Sequence, residues 1–206
     1  MKIKSILIGT KNKAKINEIR FGLRNLENLG LKIIDLESLK FEKDVEENGE
    51  TFKENALIKA KFYYSHFNIP VISDDGGLLI PYLNNEPGVK SRRWLGYKAS
   101  DEELIEAVLT RMKTAKGIER KAYLYTCMCF YDYKNEIVIF EEEKISGYIA
   151  NKPSQNRING YPYRSLFIVE KFNKYYDDLS EEEHNKLNHR LIALQRLANN
   201  LPRIYI

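Results

Sequence analysis

Residues 71–80 read VISDDGGLLI, and the organisation of the chain can be worked out from this stretch outward. An apolar run typical of a buried strand leads into two adjacent carboxylates, Asp74 and Asp75, which two glycines follow. The pattern predicts a strand that ends at the aspartates. Two interpretations fit such an ending: a β-turn, in which Asp and Gly are common, or a site that binds a cation and a ligand. The stretch alone leaves both open.

Strands and helices alternate on the N-terminal side of this stretch. Residues 3–9 and the sequence LKIIDL are predicted strands, and the segment between them has apolar residues at helical spacing. A second helix begins with Thr51 followed by Glu54, the pattern of a capping box. Further along, KAYLYTCMCFYD and NEIVIFEEEKISGYI predict an antiparallel hairpin, and a final helix begins at Ser180. This order predicts one α/β domain over residues 1–206, with a mixed sheet and helices around it.

Composition limits the functions that the chain can have. Its 33 basic and 29 acidic residues give a net charge of +4, an excess too small for a duplex nucleic-acid surface. No apolar run reaches the roughly 18 residues that a membrane helix needs, and the N-terminus reads as a strand rather than a signal peptide. The only cysteines, Cys127 and Cys129, are predicted to be small buried residues of one strand. We therefore expect a cytoplasmic protein that binds neither nucleic acid nor membrane.

A polar loop after the first strand is a candidate phosphate site. In GTKNKAK, Thr10, Asn12 and Lys15 supply a hydroxyl, an amide and an ammonium where the first helix begins. Helix N-termini beside the carboxyl ends of strands attract phosphate, and Lys59 of the second helix is placed to face the same strand ends. The loop is not a Walker motif, and by itself a solvated basic turn remains the simpler interpretation.

Acidic residues supply the oxygen ligands that Mg²⁺ prefers. Glu46 and Glu47 lie in an acidic loop, and Asp74 and Asp75 belong to the opening stretch. A carboxylate in such a site can also orient or deprotonate an attacking water. Proximity of either glutamate to Asp75 would favour a metal site over a solvated loop and a plain turn.

Other candidates are cations, hydrogen-bonding groups and aromatic rings in the rest of the chain. The polar ones are Arg92, Arg93, Asn188, His189 and Arg190. The arginine pair could clamp phosphate or form surface ion pairs, and the second group could donate to the acceptor edge of a ligand, although a lone helical histidine is more often structural. Tyr161 and Tyr163, in a loop that contains glycine, could stack on a nucleobase.

Taken together and in this order, these segments resemble the inosine triphosphate pyrophosphatase family, enzymes that hydrolyse non-standard purine nucleoside triphosphates. Thr10, Asn12 and Lys15 match the family's T-x-N-x-x-K loop, and EENGETFKENALIKA matches its acidic loop and the helix that follows. DDGGL, PGVKSRRWLG and NKLNHRLIAL match three further motifs. The resemblance covers nearly the whole chain, and five motifs in register make it specific.

The resemblance implies an elongated mixed α/β sheet with surrounding helices and two lobes flanking a central cleft, in a single nucleoside triphosphate pyrophosphatase domain that forms a homodimer. It implies hydrolysis of ITP, dITP and XTP to the monophosphate and pyrophosphate, with Mg²⁺ as cofactor. Asp75 would be the general base and a metal ligand, joined by Glu47 or its competitor Glu46, and by Asp74. The implied phosphate-binding residues are Thr10, Asn12, Lys15, Lys59, Gly76 and Arg93. The implied base-binding residues are Tyr161, Tyr163, Arg164, His184, Asn188, His189 and Arg190.

Four departures from the family pattern concern the ligand. Gly76 stands where the family has Ser or Thr, Asn188 replaces a serine, and His184 replaces a lysine. In NGYPYRSLF, Arg164 occupies the place of an aspartate that helps to read the base. We hypothesise that hydrolysis survives, because Asp75 and the glutamates are present, while base selectivity is altered. The alternatives are the same chemistry on another nucleotide and a catalytically inactive nucleotide-binding relative.

Overall fold

The structure is a computed structural model that describes residues 5–201, so the first two residues of the strand predicted over 3–9 lie outside the described residues. The strands are β1 (Ser5–Ile8), β2 (Lys32–Asp35), β3 (Val71–Ile80), β4 (Glu86–Pro87), β5 (Lys121–Asp132), β6 (Ile137–Ile149), β7 (Phe167–Val169) and β8 (Lys174–Tyr175). The α-helices are α1 (Lys13–Asn28), α2 (Phe52–Phe67), α3 (Asp101–Arg111), α4 (Glu181–Leu187) and α5 (His189–Asn199). Short 3₁₀ helices span Pro81–Leu83, Gly88–Arg93, Gly117–Arg120, Pro162–Leu166 and Tyr176–Asp178.

The strands form one mixed sheet. Its order is β2-β1-β3-β5-β6-β7-β8, and β4 pairs with β3 at the side of this path. β1 runs parallel to β2 and β3, whereas the β3–β4, β6–β7 and β7–β8 pairs are antiparallel. Helices α1 and α2 lie between the parallel strands in the chain, as crossover connections of parallel strands require. The predicted α/β class, with a mixed sheet and surrounding helices, is confirmed.

The described residues divide into two compact units. The first unit consists of residues 5–75, 126–143 and 190–201, and the second consists of Gly76–Tyr125 and Lys144–His189. Strands β3, β5 and β6 each contribute residues to both units.

Helix α1 builds much of the core of the first unit. It buries Ile16, Ile19, Leu23 and Leu26, the four apolar residues whose spacing predicts the helix. These residues belong to one apolar cluster with residues of β1, β3 and α5. The packing therefore fixes α1 against the sheet, and with it the polar loop at the start of the helix.

Strand β3 extends further than its sequence predicts. It runs from Val71 to Ile80, so Asp74, Asp75 and the two glycines lie inside the strand and do not end it. The strand continues because Leu78 and Ile80 are fully buried in the core of the second unit. The β-turn interpretation of this stretch is wrong.

Local capping signals are confirmed, but one helix is divided. Thr51 and Ser180 each begin a helix through a capping box. The single final helix predicted from Ser180 is wrong, because α4 ends at Leu187 and α5 begins at His189. Between them, Asn188 has an extended backbone (φ −60°, ψ 101°), and its N–H donates to the carbonyl of a residue in α4. No helix within residues 5–201 combines the length and the apolar character needed to cross a membrane.

Candidate active site

The loop before α1 is organised by Asn12. Its Oδ1 accepts hydrogen bonds from the backbone N–H groups of Ala14 at 3.0 Å and Lys15 at 3.3 Å, which makes Asn12 the N-cap of the helix. The hydroxyl of Thr10 accepts a hydrogen bond from the N–H of Asn12 at 3.3 Å. Two of the predicted phosphate-binding side chains thus shape the loop and hold Lys15 in the first turn of the helix.

Asp74 is fully buried, and cations surround it. Its Oδ2 lies 3.0 Å from Nζ of Lys15 and 3.2 Å from Nε of Arg190, whose Nη1 also donates to Glu18. Burial raises the pKa of Asp74, but the charges of Lys15 and Arg190 outweigh it and hold the pKa well below its ordinary value. Asp74 is therefore an anion at any physiological pH, and it positions two cations.

Asp75 is the next residue in the strand, yet its environment differs. Its Oδ1 lies 3.3 Å from Nζ of Lys59, and the same ammonium donates to Oε2 of Glu47 at 2.8 Å. Burial raises the pKa of Asp75, and Lys59 and Lys15 oppose this only in part, so the pKa lies above its ordinary value. A carboxylate with a raised pKa is the better proton acceptor near neutral pH.

Lys59 connects two carboxylates through one ammonium group. It is only 6% exposed, and burial lowers its pKa, but Asp75 and Glu47 outweigh burial and raise the pKa overall. The ammonium group therefore stays protonated. The structure thus brings together three residues that the sequence predicts as site residues and that lie far apart in the chain.

The acidic loop that carries Glu47 is tied to the start of α2. The N–H of Gly49 donates to Oδ1 of Asn55 at 2.8 Å, and the N–H of Thr51 donates to Oε2 of Glu54 at 3.0 Å. A Cβ atom on Gly49 would lie only 2.7 Å from Cβ of Glu54 and 2.8 Å from Oδ1 of Asn55, so the close approach requires glycine. Sequence reasoning missed Asn55, which is 1% exposed, although the matched motif contains it.

Two buried carboxylate oxygens in this group can accept a cation. Oδ1 of Asp74 and Oδ2 of Asp75 have no hydrogen-bond partner in the described part of the chain, which is costly unless a ligand or a cation compensates. Glu47 shares Lys59 with Asp75, whereas Glu46 is exposed. Such hard oxygens fit Mg²⁺, which usually takes one or two carboxylates together with phosphate and water. Among the described residues, no group of three or more His, Cys, Asp or Glu could hold a metal by itself.

Two further predicted phosphate-binding residues belong to the second unit. Gly76 follows Asp75 within β3. Arg93 ends a 3₁₀ helix and is exposed, and the adjacent Arg92 forms an ion pair with Asp101. The ion-pair interpretation therefore describes Arg92 in this structure, and the role of Arg93 stays a prediction.

The predicted base-binding residues, apart from Arg190, also belong to the second unit. Tyr163 is buried, and its hydroxyl donates to the carbonyl of Ser91 at 2.9 Å, so it supports the second unit from within. The guanidinium of Arg164 is buried and lies 3.5 Å from the centroid of the Tyr161 ring. Arg190 lies in the first unit, where it contacts Asp74 and Glu18 as described above.

The ring of Tyr176 lies close to three of the predicted base-binding residues. Its ring centroid lies 4.8 Å from that of His184, 6.4 Å from that of His189, and 4.9 Å from the guanidinium carbon of Arg164. Asn188 separates the helices that carry the two histidines. Sequence reasoning missed Tyr176 and the following Asp177, because neither lies in a segment that resembles a family motif.

The fold and the site define an α/β protein in which two buried carboxylates are compensated by lysines, Lys15 in the first turn of α1 and Lys59 in α2. The model of the Ham1 family matches residues 6–200. The dITP/XTP pyrophosphatase of Thermoanaerobacter sp. (strain X514) is 34% identical over 194 residues, which cover 94% of each chain. The dITP/XTP pyrophosphatase of Bacillus subtilis (strain 168) is 34% identical over 199 residues, which cover 97% of this chain and 98% of the other.

Solved structures show the same likeness. The Staphylococcus aureus Ham1 protein has a TM-score of 0.81 and 31% identity, with 95% of this chain and 97% of that chain covered. A HAM1 protein from Coxiella burnetii has a TM-score of 0.82 and 32% identity, with 96% and 98% covered. The chain therefore belongs to the Ham1 family, and the resemblance found in its motifs is confirmed.

Proposed function

We propose that this protein hydrolyses non-standard purine nucleoside triphosphates, namely ITP, dITP and XTP, to the nucleoside monophosphate and pyrophosphate. The names of its relatives supply dITP and XTP as substrates. The observation that carries the proposal is the contact of the buried Asp75 and the partly buried Glu47 with the single ammonium of Lys59. Such an enzyme would remove damaged nucleotides from the precursor pool.

The reaction adds water across the anhydride bond between the α- and β-phosphates. Asp75 accepts a proton from the attacking water, a role that its raised pKa favours. The bond to the leaving pyrophosphate breaks, and Lys15 and Lys59 offset the negative charge of the phosphates as it shifts to the leaving group. Asn12 and Thr10 shape the N-terminus of α1, where backbone N–H groups and the helix dipole favour phosphate.

We also propose Mg²⁺ as the cofactor, held by Glu47 and Asp75. The supporting observations are the two hard carboxylates on Lys59 and the buried Oδ2 of Asp75, which has no hydrogen-bond partner in the described part of the chain. When bound, Mg²⁺ would neutralise phosphate charge and lower the pKa of a bound water.

A panel of nucleoside triphosphates tests the function directly, with pyrophosphate release as the readout. The proposal predicts faster release from ITP, dITP and XTP than from ATP, GTP, CTP and UTP. Equal rates on ITP and ATP would contradict the proposed base preference. No pyrophosphate release from any triphosphate would contradict the proposed enzymatic activity. A faster rate on a pyrimidine triphosphate would favour the same chemistry on another nucleotide.

An inactive nucleotide-binding relative has less support. A decayed site is expected to lose its acidic residues first, and here Asp75, Glu47 and Lys59 are present and in contact. Active wild-type protein together with an inactive Asp75→Asn variant would exclude the binding-only function.

The family resemblance also supports a cytoplasmic homodimer, which we include in the proposal. Cys127 and Cys129 are buried free thiols, as is usual for proteins of a reducing compartment. Light scattering after size-exclusion chromatography would test the dimer, since it predicts a mass about twice the 24.2 kDa of the chain.

A further inference from the structure

The second unit contains a cation and an acid that the proposed hydrolytic step does not use. They are Arg164 and Asp177, which belong to two different 3₁₀ helices. Arg164 is 6% exposed, and its guanidinium carbon lies 3.5 Å from the ring centroid of Tyr161 and 4.9 Å from that of Tyr176. Contact with two aromatic rings restrains the plane of the guanidinium and therefore the direction of its N–H donors.

Asp177 presents an acceptor without a donor. Both of its carboxylate oxygens are buried, and neither has a hydrogen-bond partner within residues 5–201. The adjacent Asp178 differs, because it accepts hydrogen bonds from the hydroxyl of Ser154 at 2.9 Å and the amide of Asn156 at 2.8 Å. Burial raises the pKa of Asp177 to about 6, although the positive charge of Arg164 opposes the shift. A buried acceptor of this kind is costly unless a ligand donates to it.

A restrained donor group near an unsatisfied acceptor matches one kind of nucleobase edge. In a 6-oxopurine, O6 accepts a hydrogen bond and the adjacent N1–H donates one. Adenine has the opposite arrangement, with a donor amine at C6 and an acceptor at N1. Adenine would place its C6 amine, a donor, against the donors of Arg164, and its N1, an acceptor, against the acceptor of Asp177. Buried mismatches of polar groups give large discrimination between ligands.

We propose that Asp177 is a specificity-determining residue that accepts a hydrogen bond from N1–H of a 6-oxopurine, while Arg164 donates to O6. The inference rests on the proposed function, whose substrates contain this edge. It also gives a physical reason for the departure at Arg164. A cation stands where the family has an aspartate, and a carboxylate from another segment supplies an acceptor. In place of the altered selectivity hypothesised from the sequence, the inference expects 6-oxopurine selectivity to be kept with different residues.

Binding measurements separate base recognition from hydrolysis. The probes are the α,β-methylene analogue of ITP, in which the α–β bridge cannot be hydrolysed, and the same compound with 1-deazahypoxanthine, which has C–H in place of N1–H. By calorimetry, we expect wild-type protein to bind the hypoxanthine analogue about 10- to 100-fold more tightly than the 1-deazahypoxanthine analogue. This is the usual gain in affinity from one hydrogen bond to a charged group, about 10- to 100-fold. Asp177→Ala should bind both equally. Asp178→Ala is the matched control, because the carboxylate of Asp178 already has donors, and it should keep the preference.

The outcomes distinguish the inference from the proposed function. Retention of the wild-type preference by folded Asp177→Ala would overturn the inference, and so would a wild-type protein without any preference. If Asp177→Ala does not fold, Asp177→Leu keeps a branched side chain of similar shape but has no acceptor, and an unchanged preference in that variant is equally contradictory. If wild-type protein shows the preference but releases no pyrophosphate from ITP, the proposed function is wrong and the inference about the base stands.

Discussion

Asp74 and Asp75 are adjacent in one strand, yet their surroundings give them opposite properties. Lys15 and Arg190 hold the pKa of Asp74 down, whereas burial, only partly offset by Lys59, raises the pKa of Asp75. Neighbouring titratable groups whose pKa values are pushed apart are typical of sites that move protons. We therefore propose that Asp74 is a structural charge and that Asp75 carries the chemistry.

The structural charge of Asp74 leads to a prediction about stability. Asp74→Asn should lower the free energy of unfolding at pH 7 by roughly 3 kcal/mol, because Lys15 and Arg190 would lose a buried counter-ion. Since folding lowers the pKa of Asp74, its contribution is present above the ordinary carboxyl pKa of about 3.9 and is lost as the pH falls toward the folded-state value. Urea unfolding at pH 7 and at pH 3 measures both effects. An Asp74→Asn variant as stable as the wild type at pH 7 would contradict the structural role of the Asp74 charge.

The two glutamates of the acidic loop should respond differently to neutralisation. Glu47→Gln should reduce the rate of pyrophosphate release about 10- to 100-fold, because Glu47 contacts Lys59 and is a proposed metal ligand. Glu46→Gln, the matched change one residue earlier, should keep far more activity, since its side chain is exposed. Steady-state rates at saturating Mg²⁺ provide the comparison. A greater loss of activity in Glu46→Gln than in Glu47→Gln would assign the metal to Glu46.

At the scale of elements, α2 positions both the acidic loop and its partner. Thr51, Asn55 and Lys59 are spaced by one helical turn and share a face. Thr51 caps the helix, Asn55 accepts the N–H of Gly49, and Lys59 contacts the two carboxylates. One helix therefore fixes the distance between the loop and strand β3.

This coupling predicts the effect of a side chain at Gly49. Gly49→Ala should displace the loop from α2, because its Cβ would overlap the van der Waals radii of Glu54 and Asn55. We expect pyrophosphate release to fall about tenfold while the free energy of unfolding falls by only about 1 kcal/mol, as is common for a single overpacked site. Asn48→Ala, an exposed position next to it, is the control. Wild-type kinetics in Gly49→Ala would show that the loop tolerates the displacement.

The elements that the sequence predicts well depend on local interactions. The capping boxes at Thr51 and Ser180 and the apolar face of α1 need only residues within a few positions of one another. The extent of β3 and the break at Asn188 could not be predicted in this way. They depend on packing with distant segments, such as the burial of Leu78 in the second core.

At the scale of the whole molecule, the site was predictable only where motifs mark it. Asp75, Glu47 and Lys59 come from three segments whose order resembles a family pattern, and spacing alone does not bring them together. The choice of Glu47 over Glu46 needed the position of the Lys59 ammonium. Asp177 could not be predicted, because its significance depends on burial and on its proximity to Arg164.

Removal of metal should affect activity more than folding. Excess EDTA is expected to abolish pyrophosphate release, and Mg²⁺ should restore it, because Glu47 and Asp75 are the proposed oxygen ligands of a divalent ion. Mg²⁺ should also raise the melting temperature of wild-type protein through preferential binding to the folded state, and this rise should disappear in Glu47→Gln. Full activity in excess EDTA would contradict the metal assignment.

The central claim is that Asp75 carries the chemistry, and the turnover of Asp75→Asn tests it most directly. We predict a kcat at least about 100-fold below that of the wild type, the usual minimum for loss of a general base. The free energy of unfolding without metal should not fall, because the change neutralises a buried carboxylate whose charged form folding disfavours. A folded Asp75→Asn variant with wild-type kcat on ITP would contradict the account.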